Sequence, residues 1–169
     1  MPGKREVRYF IGLWSAQTLA DMNGMNMAAG TVYDSLPRRV RVLIADDHEV
    51  MRLGIRNLVG ARPGWSVCAE ACNGQEALEK TLQFRPDVII MDITMPVMNG
   101  LEAAHQISQQ QPEIPVILFS LHLSDNLLPH LQTKGIRGAV AKADAARDLI
   151  QAVETVLRGG TFFPDRKRA

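Results

Sequence analysis

At 169 residues the chain is long enough for one ordinary domain with some excess, and 19 basic residues against 18 acidic ones leave a formal net charge of +1. This balance excludes a protein that is drawn to nucleic acid or to a membrane surface by charge alone. A hydrophobic content of 46% excludes wholesale disorder.

Targeting and membrane signals are weak. No apolar run reaches the ~20 residues of a spanning helix. The apolar run at 9–14 is a poor signal peptide because it is short and an acidic residue interrupts the basic segment before it. We therefore expect a cytoplasmic protein without a membrane segment, in which Cys68 and Cys72 are reduced thiols.

The first 39 residues show no sustained hydrophobic period and are too few to build a core of their own. We expect residues 1–39 to be an N-terminal extension that is disordered or loosely docked. A regular pattern begins at Val40 and ends near residue 160. The pattern predicts one domain over 40–160, followed by a C-terminal tail or truncated linker over 161–169.

Five apolar runs in this domain predict buried strands, at 40–45, 65–69, 88–91, 114–119 and 136–141. Five stretches between and after them have helical patterns, at about 48–59, from 74 onward, at 100–110, at 125–133 and at 146–157. Strands that alternate with helices favour a parallel sheet with helices on both faces. We predict an α/β fold of this kind.

Apolar spacing also predicts which face of three helices is buried. The predicted buried positions of the first helix, which Gly60 should end, are Val50, Leu53 and 55–59. Those of the second are Ala77, Leu78, Thr81 and Leu82. Those of the last, which Gly159 and Gly160 should end, are Ala146, Leu149, Ile150, Val153, Val156 and Leu157.

Polar residues stand at four strand ends. Asp46 and Asp47 follow the first strand, Asp92 the third, Ser120 the fourth and Lys142 the fifth. Each alone also fits a structural role as a helix cap, a turn former or a solvated charge. Because the carboxyl ends of parallel strands meet at one edge of a sheet, their joint occurrence in this order predicts a shared pocket.

Clustered carboxylates repel one another unless a cation lies among them. Mg²⁺ suits such a cluster because it is a hard ion that takes oxygen ligands and commonly joins carboxylates to a phosphate. Phosphoryl transfer needs positioning and charge neutralisation, which a metal ion, Lys142 and the Ser120 hydroxyl could supply. The pattern therefore predicts that Asp92 accepts a phosphoryl group.

The sequence resembles the receiver domain of bacterial two-component response regulators over about residues 40–160. The resemblance rests on Val42-Leu43-Ile44-Ala45-Asp46-Asp47-His48, on Met91-Asp92-Ile93-Thr94-Met95-Pro96 with Asn99-Gly100, and on Ser120 with Lys142. It implies a flavodoxin-like five-stranded sheet in the order 2-1-3-4-5. Residues 73–78, and residues 148–150 followed by Gly159-Gly160, look like the subgroup that is usually joined to a LuxR-type helix-turn-helix.

The resemblance also implies roles for the pocket residues. Asp92 would take the phosphoryl group from a sensor histidine kinase, and Ser120 and Lys142 would sense it. The implied Mg²⁺ ligands are Asp47, Asp92 and the backbone carbonyl of Thr94, with Asp46 in or near the coordination shell. Phosphorylation would alter the surface around the helix at 125–133, the fifth strand and the last helix, which a partner or a second copy in a homodimer would read.

Two positions depart from the family pattern. Receivers usually carry Tyr or Phe three residues before the conserved Lys, and Ala139 occupies that place. Pro129 falls in the helix at 125–133, where it is tolerated only in the first turn. The pocket is thus expected to be intact, while transmission from it is expected to differ from the family.

Several functions stay open. The leading interpretation is a signalling switch that is not a metabolic enzyme and makes no direct nucleic-acid contact. A second is a receiver fragment of a LuxR-type DNA-binding regulator. An aspartyl-phosphate phosphatase would need an Asp where Thr94 stands, and a receiver that binds partners without phosphate would not need the whole pocket. His48, His105 and His130 show no metal-ligand spacing and are expected at the surface.

Overall fold

A computed structural model describes residues 39–121, 123 and 135–164. Its strands and helices are β1 Val40–Ala45, α1 Glu49–Gly60, β2 Trp65–Ala71, α2 Gly74–Phe84, β3 Val88–Asp92, α3 Gly100–Gln110, β4 Val116–Ser120, β5 Ile136–Ala141 and α4 Ala145–Leu157. A 3₁₀ turn, Lys142–Asp144, joins β5 to α4. The predicted extension up to residue 38, the predicted helix at 125–133 with Pro129, and residues 165–169 lie outside the described residues.

The five strands form one parallel sheet in the order β2-β1-β3-β4-β5. The predicted fold class and strand order are therefore confirmed. Three register pairs align the strand ends: Ala45 with Met91, Asp92 with Phe119, and Ser120 with Ala141. The alignment brings the residues that end β1, β3, β4 and β5 to one edge of the sheet.

Alternate side chains of the strands feed two apolar cores, one on each face, because successive strand residues point in opposite directions. On one face β3 contributes Ile89 and Met91, and the helices contribute Ala77 and Leu78 of α2 with Ala103, Ala104 and Ile107 of α3. On the other face β3 contributes Val88 and Ile90, and the helices contribute Ile55 and Val59 of α1 with Leu149, Ala152, Val153 and Val156 of α4.

The predicted face of α1 is partly wrong. Ile55 and Val59 are buried, but Val50 and Leu53 are 79% and 48% exposed. Positions 55 and 59 lie four residues apart and face the sheet, whereas 50 and 53 lie on the opposite side of the helix. The helix ends at Gly60, as predicted, and Ala61 is its C-cap residue.

Two smaller predictions, on the exposure of a residue in α2 and on the end of β2, are also corrected. Leu82 of α2 is 41% exposed, although its neighbours Ala77, Leu78 and Thr81 are buried as predicted. β2 runs to Ala71 because its pairing with β1 continues to the end of that strand.

The last helix agrees more closely with its pattern. Leu149, Val153 and Val156 are buried, while Ala146 is exposed. Gly159 has φ +84°, a left-handed conformation that favours glycine, and it ends the helix as predicted. Within the described part of the chain, no helix is long and apolar enough to cross a membrane.

Residues 161–164, the beginning of the predicted tail, return to the sheet. The Phe162 amide donates a hydrogen bond to the Arg137 carbonyl at 2.9 Å, and the Ala139 amide donates one to the Phe162 carbonyl at 2.8 Å. These bonds form a parallel bridge between Gly138 and Phe162. Residues 161–164 thus lie along the outer edge of β5.

Candidate functional site

Two carboxylates lie side by side where β1 and β3 end. Asp46 directly follows β1 and is fully buried, and Asp92 is the last residue of β3 and is 4% exposed. They lie close together because β1 and β3 are paired up to Ala45 and Met91. Two neighbouring buried carboxylates need a cation to offset their mutual repulsion and the cost of their burial.

The Lys142 ammonium supplies that charge. Its Nζ lies 2.7 Å from Asp46 Oδ2 and 2.8 Å from Asp92 Oδ2, and its side chain is only 6% exposed. Nζ also lies 5.7 Å from the centre of the Phe119 ring, within cation–π range. The residue that follows β5 thereby links the ends of β1 and β3.

Ionisation in this cluster reflects burial and charge together. Burial raises the pKa of the Asp92 carboxyl, and the Asp46 carboxylate raises it further, while the hydrogen bond from Lys142 opposes both. Burial alone would lower the pKa of Lys142, but its bonds to Asp46 and Asp92 outweigh burial and raise it. The lysine is therefore held as an ammonium ion.

Asp47 is the outer carboxylate of the site. Its side chain is 32% exposed, and its Oδ1 lies 2.7 Å from His48 Nδ1. The His48 backbone amide donates a hydrogen bond to Asp46 Oδ1 at 2.9 Å. His48 is exposed, as predicted from the sequence, but its contacts with both carboxylates were not predicted. Its adjacency to the Asp pair was the available signal.

A second contact that the sequence did not reveal comes from α1. The Arg52 guanidinium donates a hydrogen bond to the Asp46 backbone carbonyl at 2.8 Å and another to the Glu70 carboxylate at 3.2 Å. Arg52 thus joins the end of β1 to β2. Arg52 lies six residues after Asp46, on a different element, and this spacing forms no sequence pattern from which the contact could have been predicted.

The donor atoms at this edge suit a hard divalent cation. One oxygen or nitrogen from each of Asp46, Asp47, His48 and Asp92 lies within 4.8 Å of all the others. Asp46 Oδ2 is buried and lies 2.7 Å from the Lys142 ammonium, and a second lone pair of this oxygen remains for a metal ion. Three carboxylates among four donors favour Mg²⁺ over softer metals.

The remaining predicted site residues are Ser120, Thr94 and Ala139. Ser120 is the last residue of β4, is 8% exposed and pairs in register with Ala141. Thr94 is exposed, and its amide lies 3.4 Å from Asp92 Oδ1, a long hydrogen bond. Ala139 is fully buried in β5 opposite Leu118.

The turn from β3 into α3 is held close to Asp92. Gly100 is the first residue of α3, and a Cβ placed there would collide with the Asp92 carbonyl oxygen. The Gly100 amide donates a hydrogen bond to the Ile93 carbonyl at 2.9 Å. Val97, between them, has φ +67° and is 86% exposed. β3 therefore passes into α3 through a tight turn that requires glycine at 100.

Comparison with known proteins decides the family. The model of the response regulator receiver domain matches residues 42–154, which include Asp46, Asp92 and Lys142. The chain belongs to the receiver-domain family. This membership confirms the resemblance that the motifs indicated.

The relatives of this receiver are response regulators of the LuxR-family type. The transcriptional regulatory protein DegU of Brevibacillus brevis is 34% identical over 125 residues, which are 74% of this chain and 53% of DegU. The receiver chain therefore spans about half the length of the curated relatives that it matches.

Solved structures agree with the fold. A LuxR-family two-component response regulator from Aurantimonas sp. SI85-9A1 is 33% identical with a TM-score of 0.69, covering 72% of this chain and 87% of that one. The signal receiver domain of NarL from Mycobacterium tuberculosis is 28% identical with a TM-score of 0.68, covering 73% of this chain and 99% of that one.

The receiver's pocket thus gathers the residues that the sequence singled out. Asp46, Asp92 and Lys142 are in direct contact, Asp47 lies among the candidate metal donors, and Ser120 stands at the neighbouring strand end. Such an arrangement can present a carboxylate oxygen beside a fixed ammonium ion and a cation-binding cluster. These are the requirements for accepting a phosphoryl group.

Proposed function

We propose that this receiver is a phosphorylation-dependent signalling switch in which Asp92 accepts a phosphoryl group from a sensor histidine kinase. The observation that carries the proposal is the placement of Asp92 at the buried end of β3, 2.8 Å from the Lys142 ammonium and among the candidate metal donors. A structural ion pair would need only one carboxylate, whereas three converge here.

Asp46, Asp47, Asp92 and the backbone carbonyl of Thr94 are the proposed Mg²⁺ ligands, and the oxygen-rich donor set fits that ion. When bound, the ion supplies neutralisation of the negative charge that develops on the transferring group. His48 holds Asp47 from outside through its 2.7 Å contact, which limits the rotation of that carboxylate.

In the proposed transfer, an Asp92 carboxylate oxygen attacks the phosphorus of a phosphohistidine. The new P–O bond forms as the P–N bond breaks, and the departing imidazole nitrogen takes up a proton. Lys142 neutralises charge on the phosphoryl oxygens from the β5 side, and the Ser120 hydroxyl donates a hydrogen bond from the end of β4. Positioning and charge neutralisation are the chain's contributions.

The proposed output is a change of surface around residues 125–133, β5 and α4. Lys142 follows β5 and precedes α4, so a new anionic partner for its ammonium affects both elements. A partner protein or a second copy of the receiver would read that change. The function is therefore signalling in the cytoplasm, not turnover of a metabolite.

Intact-mass spectrometry tests the acceptor. The chain is incubated with Mg²⁺ and phosphoramidate, a small phosphodonor, and compared with Asp92→Asn. We expect the unaltered chain to gain one phosphoryl group and the variant to gain none, with omission of Mg²⁺ suppressing the gain. Equal gain in the two proteins would disprove the assignment of Asp92.

A second candidate is that the receiver acts as one part of a LuxR-type DNA-binding regulator. It is favoured by the relative DegU, a transcriptional regulatory protein of which this chain covers only 53%. In that case residues 161–169 would be the beginning of a linker. The mass of the gene product detected by an antibody against residues 40–160 distinguishes a lone receiver from a longer regulator.

A further inference from the structure

The middle of β5 lacks bulk. Gly138 and Ala139 stand at its centre, and Ala139 is the position at which the family resemblance expects an aromatic ring. Both residues lie at a sheet edge, in a strand whose C-terminal neighbour is Lys142. Because protein interiors are close-packed, a strand this poor in side-chain volume needs groups from other segments to fill the volume on both of its faces.

Two aromatic side chains beside β5 occupy that region. Phe162 packs against the core that contains Ile117 and Val140, whereas Phe163 packs against the core that contains Ala139. Consecutive residues thus reach opposite faces of the sheet, as expected for an extended segment next to a strand. The chain after α4 supplies the aromatic volume that β5 does not carry.

The fit of this segment to β5 depends on Gly138. A Cβ at that position would lie 2.9 Å from the Phe162 carbonyl oxygen and 3.6 Å from Phe162 Cβ. Hydrogen bonds on both sides, from Phe162 to Arg137 and from Ala139 to Phe162, hold the segment at that distance. Glycine in a strand interior often marks such a close approach of another backbone.

Only two residues, Val140 and Ala141, lie between this contact and the pocket residue Lys142. Ala139 holds the Phe162 carbonyl through its amide, and Lys142 holds Asp46 and Asp92 through its ammonium. The short stretch between them belongs to β5 and is paired with β4 as far as Ala141. A change in the partners of Lys142 therefore acts on the same strand that holds the segment.

We propose that residues 161–164, here named the strap, respond to phosphorylation of Asp92. We also propose that Phe163 replaces the aromatic side chain that β5 lacks at position 139. This inference rests on the proposed phosphorylation of Asp92. A phosphoryl group adds negative charge beside Lys142, which holds the end of β5 more firmly and reduces the opening of the bridge between Gly138 and Phe162. The strap is accordingly more tightly bound in the phosphorylated receiver.

Amide hydrogen exchange followed by nuclear magnetic resonance measures that opening directly. Amides of Ala139 and Phe162 are compared in Mg²⁺ alone and in Mg²⁺ with beryllofluoride, a stable mimic of the aspartyl phosphate. We expect about fivefold slower exchange with beryllofluoride, the lower end of typical coupling between two sites. Exchange that is no slower would overturn the inference.

Variants of the strap test the role of Phe163. Phe163→Ala should abolish the slowing while the chain still gains a phosphoryl group. The matched control is Phe84→Ala, which removes another half-buried ring, at the end of α2, and should retain the slowing. Persistence of the full slowing in Phe163→Ala would overturn the assignment.

Gly138→Ala provides the same test should Phe163→Ala fail to fold by circular dichroism, because the added methyl group pushes the Phe162 carbonyl away. The mass measurement separates the two levels of proposal. A chain that gains no phosphoryl group refutes the proposed function and with it the inference. A chain that gains the group but shows no slowing refutes the inference alone.

Discussion

β3 and β5 both end at the same pocket, yet they are built in opposite ways. Every residue of β3 is buried, and the strand lies between two others. β5 lies at the edge, exposes Arg137 and carries Gly138 and Ala139 at its centre. β3 is thus held by packing on all sides, whereas β5, the strand before Lys142, is held by hydrogen bonds to one neighbour and to the strap.

This difference separates two tasks. In the proposed switch the phosphoacceptor has to stay in place, and a fully packed strand moves little because interiors are dense. A strand that transmits a change has to respond to it, and an edge strand with little side-chain volume costs less to move. Lys142 joins the two, since its ammonium contacts the end of β3 while its backbone follows β5.

Removal of the Lys142 ammonium should have the largest effect on stability. In Lys142→Met, two buried carboxylates lose their cation, and loss of one partner of a buried pair costs ~3–5 kcal/mol. We expect the free energy of unfolding in urea, without Mg²⁺, to fall by about 3 kcal/mol. Lys80→Met is the matched control, because the Lys80 pair with Glu76 is partly exposed and should cost less than about 1 kcal/mol. Equal losses of stability in the two variants would show that burial does not strengthen the contribution of the Lys142 ion pairs.

Glycine substitutions compare the two strands directly. Gly100→Ala forces a methyl group into the Asp92 carbonyl, whereas Gly138→Ala meets the Phe162 carbonyl at 2.9 Å. Overpacking costs about 1–3 kcal/mol, so we expect about 3 kcal/mol at Gly100 and about 1 kcal/mol at Gly138, where the strap can shift.

Gly54→Ala is the control for these two substitutions. Among the described residues, no atom other than its near neighbours lies within 4 Å of a Cβ at Gly54, which is in the interior of α1. This change should stabilise the protein by about 0.5–1 kcal/mol. Thermal unfolding measures all three, and a larger loss at Gly138 than at Gly100 would reverse the comparison.

The helices that follow the two strands offer a smaller test. The Asn99 side chain accepts a hydrogen bond from the Glu102 amide at 2.9 Å at the start of α3. At the start of α4, within the described part of the chain, the Asp144 side chain caps no backbone amide and instead pairs with Arg147 at 3.0 Å. We expect Asn99→Ala to cost about 1 kcal/mol and Asp144→Ala less than half as much. Similar losses of unfolding free energy in urea for the two variants would contradict the proposed difference in capping between the starts of α3 and α4.

The smallest expected effect is on the pH dependence of stability. Burial raises the pKa of Asp92 in the folded chain above the ordinary 3.8, while Lys142 opposes the shift. A raised folded-state pKa means that stability is lost as the pH rises through that pKa. In buffer without Mg²⁺, Asp92→Asn should therefore be as stable as the unaltered chain in acid and more stable near neutral pH. Urea unfolding at several pH values measures this, and a less stable variant at neutral pH would contradict it.

Much of the site could be predicted from local sequence. In a pattern of alternating strands and helices, the apolar run before Asp92 predicts a strand that is buried on both faces. A residue at the end of such a run lies at the carboxyl edge of the sheet. The same argument placed Asp46, Ser120 and Lys142. Their direct contacts required the register between strands, which depends on residues far apart in the chain.

Other features left no local pattern. Val50 and Leu53 repeat at a helical spacing as good as that of Ile55 and Val59, so the sequence could not indicate which side of α1 meets the sheet. The strap makes a single bridge to β5, and one pair of residues shows no periodicity. Both depend on tertiary packing.

The sequence by itself determined the order of strands and helices, the family and the residues that reach the carboxyl edge, because hydrophobic period and strand-end chemistry are local properties. Only the tertiary structure decided that Lys142 bridges Asp46 and Asp92, that His48 and Arg52 support the β1 end, and that Phe162 and Phe163 lie beside the depleted centre of β5. The contacts of Lys142 and of the two phenylalanines join residues that are distant in sequence, and those of His48 and Arg52 depend on how the end of β1 meets the start of α1, so hydrophobic period alone does not reveal them.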